Sequence, residues 1–422
     1  MGQGPESQPL RVMVVDDTIT YRMIVKKVSE SIPGVQVVTS APNGRLALEK
    51  LEAMRGAPGA GTGIEVVLLD VEMPVMDGLT TLRHLTRGFP DISVIMVSAT
   101  SRTNANIIVE CLNAGALDFV TKPLENNVEL AKEALRRDLA PILTTVAEER
   151  RERAFPAPAA TRPTGRAVPP GRAVTRPPVA PVAPLPGPPP GAAARVARSV
   201  TPPPPPPGEE TPPAAAPSVA KGRTVSPGKG IAPKLVLIGS STGGPAALTR
   251  VLAAITRRLA VPMLIVQHMP PVFTASLATQ LARASGLVVT EAQDGTPVVP
   301  GEVILAQGGQ HMILRQKDGL WQVALNDGPK VNECRPAVDV LFMSAAAVFP
   351  DPVLAVVLTG MGRDGAAGVD ALKRAGKIAH CITQDKATCV VYGMPRAVQE
   401  GGLSDEELPL ARIGPRILEM CS

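Results

Sequence analysis

The pentapeptide Gly239-Ser240-Ser241-Thr242-Gly243 fits G-x-S-x-G, a tight turn that can expose a nucleophilic serine. It follows the apolar run Leu235–Ile238 and precedes a helix-like segment, so it could also cradle a phosphate on backbone N–H groups. A phosphate loop would need a following Gly-Lys pair or a ribose-binding acid, and PAALTRVLAAITRR supplies neither. The residues therefore favour attack by Ser241. A catalytic serine needs a base and a group that orients the base.

Four histidines limit the search. His84 lies on a helix-like surface, His311 in a hairpin-like region and His380 in the strand-like KIAHCIT. His268 ends the apolar run MLIVQH, at a strand tip like that of Ser241. Position favours His268 as base, with His380 second. Asp364 follows another buried run, PVLAVVLTGMGRDG, whose glycines allow tight bending and could present N–H groups to an oxyanion. Asp339, Asp294 and Asp385 compete with Asp364 but read better as cap or turn residues.

A second constellation lies in the first third of the chain. Asp16 and Asp17 close one apolar run, Asp70 another, Ser98 a third and Lys122 a fourth. At the C-terminal ends of parallel strands these groups converge where such sheets bind ligands. Three acids suit a hard cation such as Mg²⁺. The hydroxyl and ammonium suit the oxygens of a phosphoryl group, with Asp70 as its acceptor.

The elements that must position these residues are legible as alternation. RVMVVDD, VQVVTS, IEVVLLD, ISVIMVS and LDFVTKP read as five strands, with helices near 20–31, 43–54, 78–88, 102–113 and 124–150. This predicts a doubly wound, flavodoxin-like five-stranded parallel sheet over residues 8–150. Residues 233–422 predict an α/β domain with a mainly parallel sheet and an antiparallel hairpin addition within GTPVVPGEVILAQGGQHMILRQKDGLWQVALNDG. Between them, residues 151–232 read as linker. Positions 156–233 hold 24 of the chain's 46 prolines and predict a disordered, locally extended tether.

The net charge of +5 sits in that tether, which carries +7, against −3 for residues 1–155 and +1 for 234–422. Neither end has the basic balance of a nucleic-acid reader. The five cysteines, at 111, 334, 381, 389 and 421, form no C-x-x-C pair, which fits a reduced, cytoplasmic setting. No uncharged apolar run approaches the ~20 residues of a membrane span, and the N-terminus lacks the features of an export signal.

With D-D, D-x-x-x-P, Ser and K-P in order at strand ends, residues 9–140 resemble the receiver domain of bacterial two-component response regulators. That resemblance implies phosphorylation of Asp70 by a histidine kinase. It also implies Mg²⁺ held by Asp16, Asp17, Asp70 and the Glu72 carbonyl, and Phe119 as a rotating reporter of state. Lys122-Pro123 matches the family's cis-proline site.

IGSSTGGPAAL, IVQHMPPVFTASLA, RPAVDVLFMSAA, VVLTGMGRDGAAG and VVYGMP resemble the catalytic domain of the chemotaxis protein-glutamate methylesterases. This implies Ser241 as nucleophile, His268 as base and then acid, Asp364 as its partner, and the Met361 N–H in an oxyanion hole. No metal is implied in that domain. The implied substrates are glutamate methyl esters and glutamines on methyl-accepting chemoreceptors, and the implied assembly is a monomer without membrane insertion. Arg335 is a candidate substrate-side residue or a structural ion pair. Receivers of this family dock over the active site and loosen on phosphorylation; a tether of 78 residues is long for that arrangement. Gln307, Lys386 and Asn332-Glu333-Cys334 depart from the family pattern and are expected not to touch the triad. Two rivals are a DNA-binding output domain and a catalytically silent receptor-binding scaffold.

Overall fold

The computed structural model describes residues 8–55, 62–99, 102–123, 127–154 and 232–422. Of the expected linker, residues 151–154 instead complete the last helix of the first domain, and 155–231 lie outside the described residues. The first domain alternates β1 (Leu10–Val15), α1 (Ile19–Glu30), β2 (Val35–Ala41), α2 (Gly44–Met54), β3 (Val66–Asp70), α3 (Gly78–Gly88), β4 (Ser93–Ala99), α4 (Arg102–Asn113), β5 (Asp118–Lys122) and α5 (Val128–Ala154). Its strands form one parallel sheet in the order β2-β1-β3-β4-β5. β3 is VVLLD and every residue is buried, as expected for a central parallel strand covered on both faces. Side-chain caps start two helices: Asn43 Oδ1 accepts from the Leu46 N–H, and Asp77 Oδ1 from the Thr80 N–H. Lys122–Pro123 is not cis; among the described residues the cis bond is Arg335–Pro336.

The second domain contains β6 (Leu235–Ser240), α6 (Gly244–Ala253), β7 (Met263–Gln267), α7 (Phe273–Ser285), β8 (Val288–Glu291), β9 (Glu302–Leu305), β10 (His311–Lys317) and β11 (Leu320–Asn326). It continues with α8 (Val338–Val348), β12 (Val353–Val357), α9 (Ala366–Arg374), β13 (Ile378–Gln384), α10 (Met394–Glu400), β14 (Glu406–Leu408) and α11 (Leu410–Met420). Seven strands make a parallel sheet, β14-β13-β12-β6-β7-β9-β8. β10 and β11 form the antiparallel addition. Only part of the hairpin-like stretch behaves as a hairpin. Its EVIL segment becomes β9, parallel to both β7 and β8, because a run with three buried apolar residues fits a covered sheet better than a solvated ribbon.

The two domains share a core. α4 packs on α6 and α7, and Ile108, Val109 and Leu112 join Leu248, Val251, Phe273 and Leu277 in one continuous apolar cluster. Full burial of a side chain such as Leu277 contributes about 1.5–3 kcal/mol. The C-terminal edge of the seven-stranded sheet therefore lies beside β5 and α5. No helix among the described residues is long and apolar enough to cross a membrane.

Candidate active site and phosphoacceptor site

β6 and β7 are parallel neighbours with Ser240 opposite Gln267, so Ser241 and His268 each stand one residue beyond a strand end. The His268 N–H donates to Ser240 O at 3.1 Å. The buried Gln267 amide ties the two loops: its Nε2 donates to Ser241 O (2.9 Å) and His268 O (3.2 Å), while Oε1 accepts from Ser240 Oγ (2.7 Å). Gly244 makes this possible, because a Cβ there would overlap Gln267 Oε1. Gly243, which precedes α6, has φ 75°, a conformation that favours glycine.

On the other side of β6, β12 leads into Thr359, Gly360, Met361 and Asp364. The Ser241 N–H donates to Thr359 O at 3.0 Å, and Gly360 packs against the Ser241 side chain. Asp364 is buried at the start of α8. Its Oδ2 accepts from His268 Nε2 (2.7 Å) and the Val338 N–H (2.6 Å); its Oδ1 accepts from the Asp339 N–H (3.0 Å) and Asn332 Nδ2 (2.9 Å). Asp339 returns the favour at α9, accepting from the Gly365 and Gly368 N–H groups. Two aspartates thus anchor each other's helix, and only Asp364 also reaches a histidine.

Burial alone would push the His268 pKa down. Its hydrogen bonds to Asp364 and Cys334 outweigh that and lift it to about 9. Burial would raise Asp364, but the His268 bond and the surrounding N–H donors bring it to about 2. The imidazole is therefore held as a cation against a carboxylate. Its other nitrogen, Nδ1, faces Cys334 Sγ at 3.3 Å. Among the described residues no hydrogen bond joins Ser241 Oγ to His268.

These contacts correct one expectation. Asn332 and Cys334 do touch residues of the expected triad, one Asp364 and the other His268. Left-handed backbone at Asn332 and Glu333 (φ 51° and 61°) folds this loop back to the site, a turn with no local periodicity to announce it. The other histidines serve elsewhere: His380 pairs with Glu406 at 3.0 Å, His311 bonds Pro329 O and the Ala337 N–H, and His84 is exposed. Asp294 pairs with Arg315, and Asp385 accepts from the Thr388 N–H.

In the first domain, oxygens of Asp16, Asp17 and Asp70 lie within 4.8 Å of one another. Lys122 Nζ stands 2.8 Å from Asp16 Oδ2 and 2.6 Å from Asp70 Oδ2. Burial raises Asp70 to about 6 despite Lys122. A cluster of hard oxygens with an unneutralised acid fits a divalent cation. Glu72 lies two residues on and lines, with Asp17, a cavity of about 510 Å³. Ser98 is buried at the end of β4, its hydroxyl on Ala99 O.

Residues 12–134 match the response regulator receiver domain model and 236–417 the CheB methylesterase model. Protein-glutamate methylesterase/protein-glutamine glutaminase of Desulfotalea psychrophila is 37% identical over 97% of this chain and 98% of its own. The group 2 operon protein of that name from Rhodopseudomonas palustris is 38% identical over 98% of this chain and 94% of its own. This chain belongs to the protein-glutamate methylesterase/protein-glutamine glutaminase family. The solved CheB methylesterase catalytic domain of Thermotoga maritima is 42% identical, covering 45% of this chain and 99% of that one, with TM-score 0.43. The response regulator domain of CheB from the same organism is 31% identical, covering 33% and 97%, with TM-score 0.29.

In this methylesterase-family chain the receiver touches the Ser241 loop directly. Asp118 Oδ2, at the start of β5, accepts from Thr242 Oγ1 at 2.5 Å, and burial raises the Asp118 pKa. Phe119 packs on Phe273 of α7 with ring centroids 4.5 Å apart and planes tilted by 45°. Thr145 of α5 donates its hydroxyl to Met361 Sδ at 2.8 Å. Arg335 makes no carboxylate pair among the described residues. Its guanidinium donates to the Asp327 and Gly328 carbonyls, and its Nε is buried without a partner among them. Gln267 had no signal beyond its place between strand and histidine, and Thr145 none at all.

Proposed function

We propose that this chain is a phosphorylation-regulated serine hydrolase that demethylates glutamate γ-methyl esters, and deamidates glutamines, on methyl-accepting chemoreceptors. The observation that carries this reading is the buried His268–Asp364 pair beside the strand-end Ser241. Once His268 has lost a proton and is neutral, Ser241 Oγ attacks the γ-carbonyl carbon and gives its proton to His268 Nδ1, the ring nitrogen turned away from Asp364. The oxyanion sits by the Met361 N–H. As the tetrahedral intermediate collapses, the C–OCH₃ bond breaks and His268 returns the proton to form methanol. Water then attacks the acyl-enzyme, loses its proton to the same nitrogen, and frees the glutamate and Ser241. With an amide the leaving group is ammonia. Nδ1 must first part from Cys334, so the geometry here is a resting one.

Regulation enters through Asp70, whose carboxylate takes the phosphoryl group from a histidine kinase. Asp16, Asp17, Asp70 and the Glu72 carbonyl would hold Mg²⁺, which when bound offsets the negative charge gathered there. Lys122 and Ser98 would bind phosphoryl oxygens. The contacts of β5 and α5 with Thr242 and Met361 make the receiver a cover that phosphorylation loosens, with Phe119 in the path. A cytoplasmic monomer is the working assembly, with receiver, linker and catalytic domain in that order and the linker beginning only after α5 ends at Ala154.

The test is methanol release from methylated receptor membranes, with acyl-phosphate and Mg²⁺. Ser241→Ala should lower the rate by roughly 10⁴-fold or more, and Asp70→Asn should abolish stimulation while sparing basal release. If wild type releases no more methanol than Ser241→Ala, the enzyme reading fails and the scaffold reading takes its place.

A further inference from the structure

The last turns of α5 do more than approach the active site. They lay two carboxylates, three residues apart, onto a cationic rim beside it. Glu152 pairs with Lys386 at 2.9 Å and with Arg396 at 3.4 Å, and Glu149 Oε1 accepts from the Tyr392 N–H at 3.1 Å. One turn earlier on the same helix face, Thr145 bonds the side chain of Met361. Helix and rim enclose a cavity of about 540 Å³, with Glu149 and Glu152 on one wall and Met361, Gly362, Lys386 and Arg396 on the other.

We propose that Lys386, Arg396 and the Tyr392 N–H form a carboxylate-binding subsite for acidic side chains flanking the target glutamate on a substrate helix, and that α5 occupies it through Glu149 and Glu152 as an internal mimic. This rests on the hydrolase reading for what the bound helix undergoes, though not for its binding. A helix presenting i and i+3 carboxylates is what the rim already holds, so the resident segment defines the chemistry of its competitor. The side chains of Lys386, Arg396 and Glu152 are about half exposed or more (64%, 52% and 48%). Exposed ion pairs contribute little each, so they select an orientation and a partner without locking it, as an exchange of helices requires. Lys386, set apart in the sequence as a family departure, acquires a role here.

The probes are two synthetic helical peptides, each with one glutamate γ-methyl ester, flanked either by glutamates three residues apart or by glutamines. Binding is read by fluorescence anisotropy on full-length Ser241→Ala. The glutamate peptide should bind about 5- to 10-fold more tightly at low salt. Lys386→Gln with Arg396→Gln should erase that preference, and Glu149→Gln with Glu152→Gln should tighten binding of the glutamate peptide several-fold. Equal binding of the two peptides, or a preference that survives loss of both cations, overturns the subsite. Unchanged affinity in the α5 variant overturns the mimic. If wild-type protein binds the glutamate peptide selectively but leaves its ester intact, the hydrolase reading falls while the subsite stands. Cleavage of both peptides with equal KM sinks the subsite alone.

Discussion

At the scale of single residues, the proposed base is His268, and Cys334 stands against its second ring nitrogen. A base must be neutral to accept the serine proton, and His268 is lifted to about 9 by Asp364 and Cys334 against the effect of burial. Basal activity of the unphosphorylated protein should therefore climb through neutral pH and level near 9. Replacing Cys334 by alanine removes one of the two interactions that favour the imidazolium and also frees Nδ1. The rising limb of kcat/KM should move to lower pH, each pH unit of displacement giving about a tenfold faster rate at pH 7. A limb that stays in place would mean that the thiol does not act on the imidazole. That His268 and Asp364 would stand near Ser241 was legible from their strand-end positions, and the two side chains do meet. Asn332 and Cys334 stood out only as departures from the family pattern, because their loop reaches His268 and Asp364 through a backbone reversal.

At the scale of elements, β5 is the lever. Its first two residues bind the catalytic domain, through Asp118 on Thr242 and Phe119 on Phe273, while its last, Lys122, holds Asp70. A single five-residue strand thus joins Asp70 to the Ser241 loop. An aromatic pair contributes about 0.5–1.5 kcal/mol beyond its buried area. If that energy holds the cover shut, Phe119→Ala should raise basal ester hydrolysis roughly 2- to 10-fold without phosphodonor. Hydrolysis of a small ester by unphosphorylated protein would read this, and a rate at or below wild type would remove Phe119 from the coupling. The strands and helices themselves were mostly legible, since apolar runs between amphipathic stretches admit few parallel arrangements. EVIL was the exception: its turn-rich surroundings suggested a ribbon, and its burial beside β7 made it a sheet strand.

At the scale of the whole molecule, the receiver's acid pocket links protonation, metal and stability. Asp70 has a folded pKa of about 6 against an ordinary 3.8, chiefly from burial. The folded state therefore binds the proton more tightly, and stability is lost as pH rises from about 4 to about 6, remaining lost above that. The full effect is about 3 kcal/mol. In urea unfolding without divalent metal, Asp70→Asn should gain on wild type by up to that amount between pH 4 and pH 7. Mg²⁺ should narrow the gap by stabilising the ionised acid. A constant difference across this range would show that Asp70 ionises as freely as in the unfolded chain.

By itself the sequence determined two α/β domains, the strand ends on which the acids, serine and histidine would stand, and the family whose motifs it carries. Period and run length suffice for this, because a parallel sheet has few ways to bury its apolar strands and its C-terminal edge collects whatever follows them. Tertiary structure alone decided which nitrogen of His268 meets Asp364, that Cys334 takes the other, and that α5 lays Glu152 on Lys386 and Arg396 and Glu149 on the Tyr392 N–H. Those contacts join residues 66 to 244 positions apart, through loop reversals and a domain interface. Local side-chain pattern carries no record of such approaches, since they are set by how two finished surfaces meet.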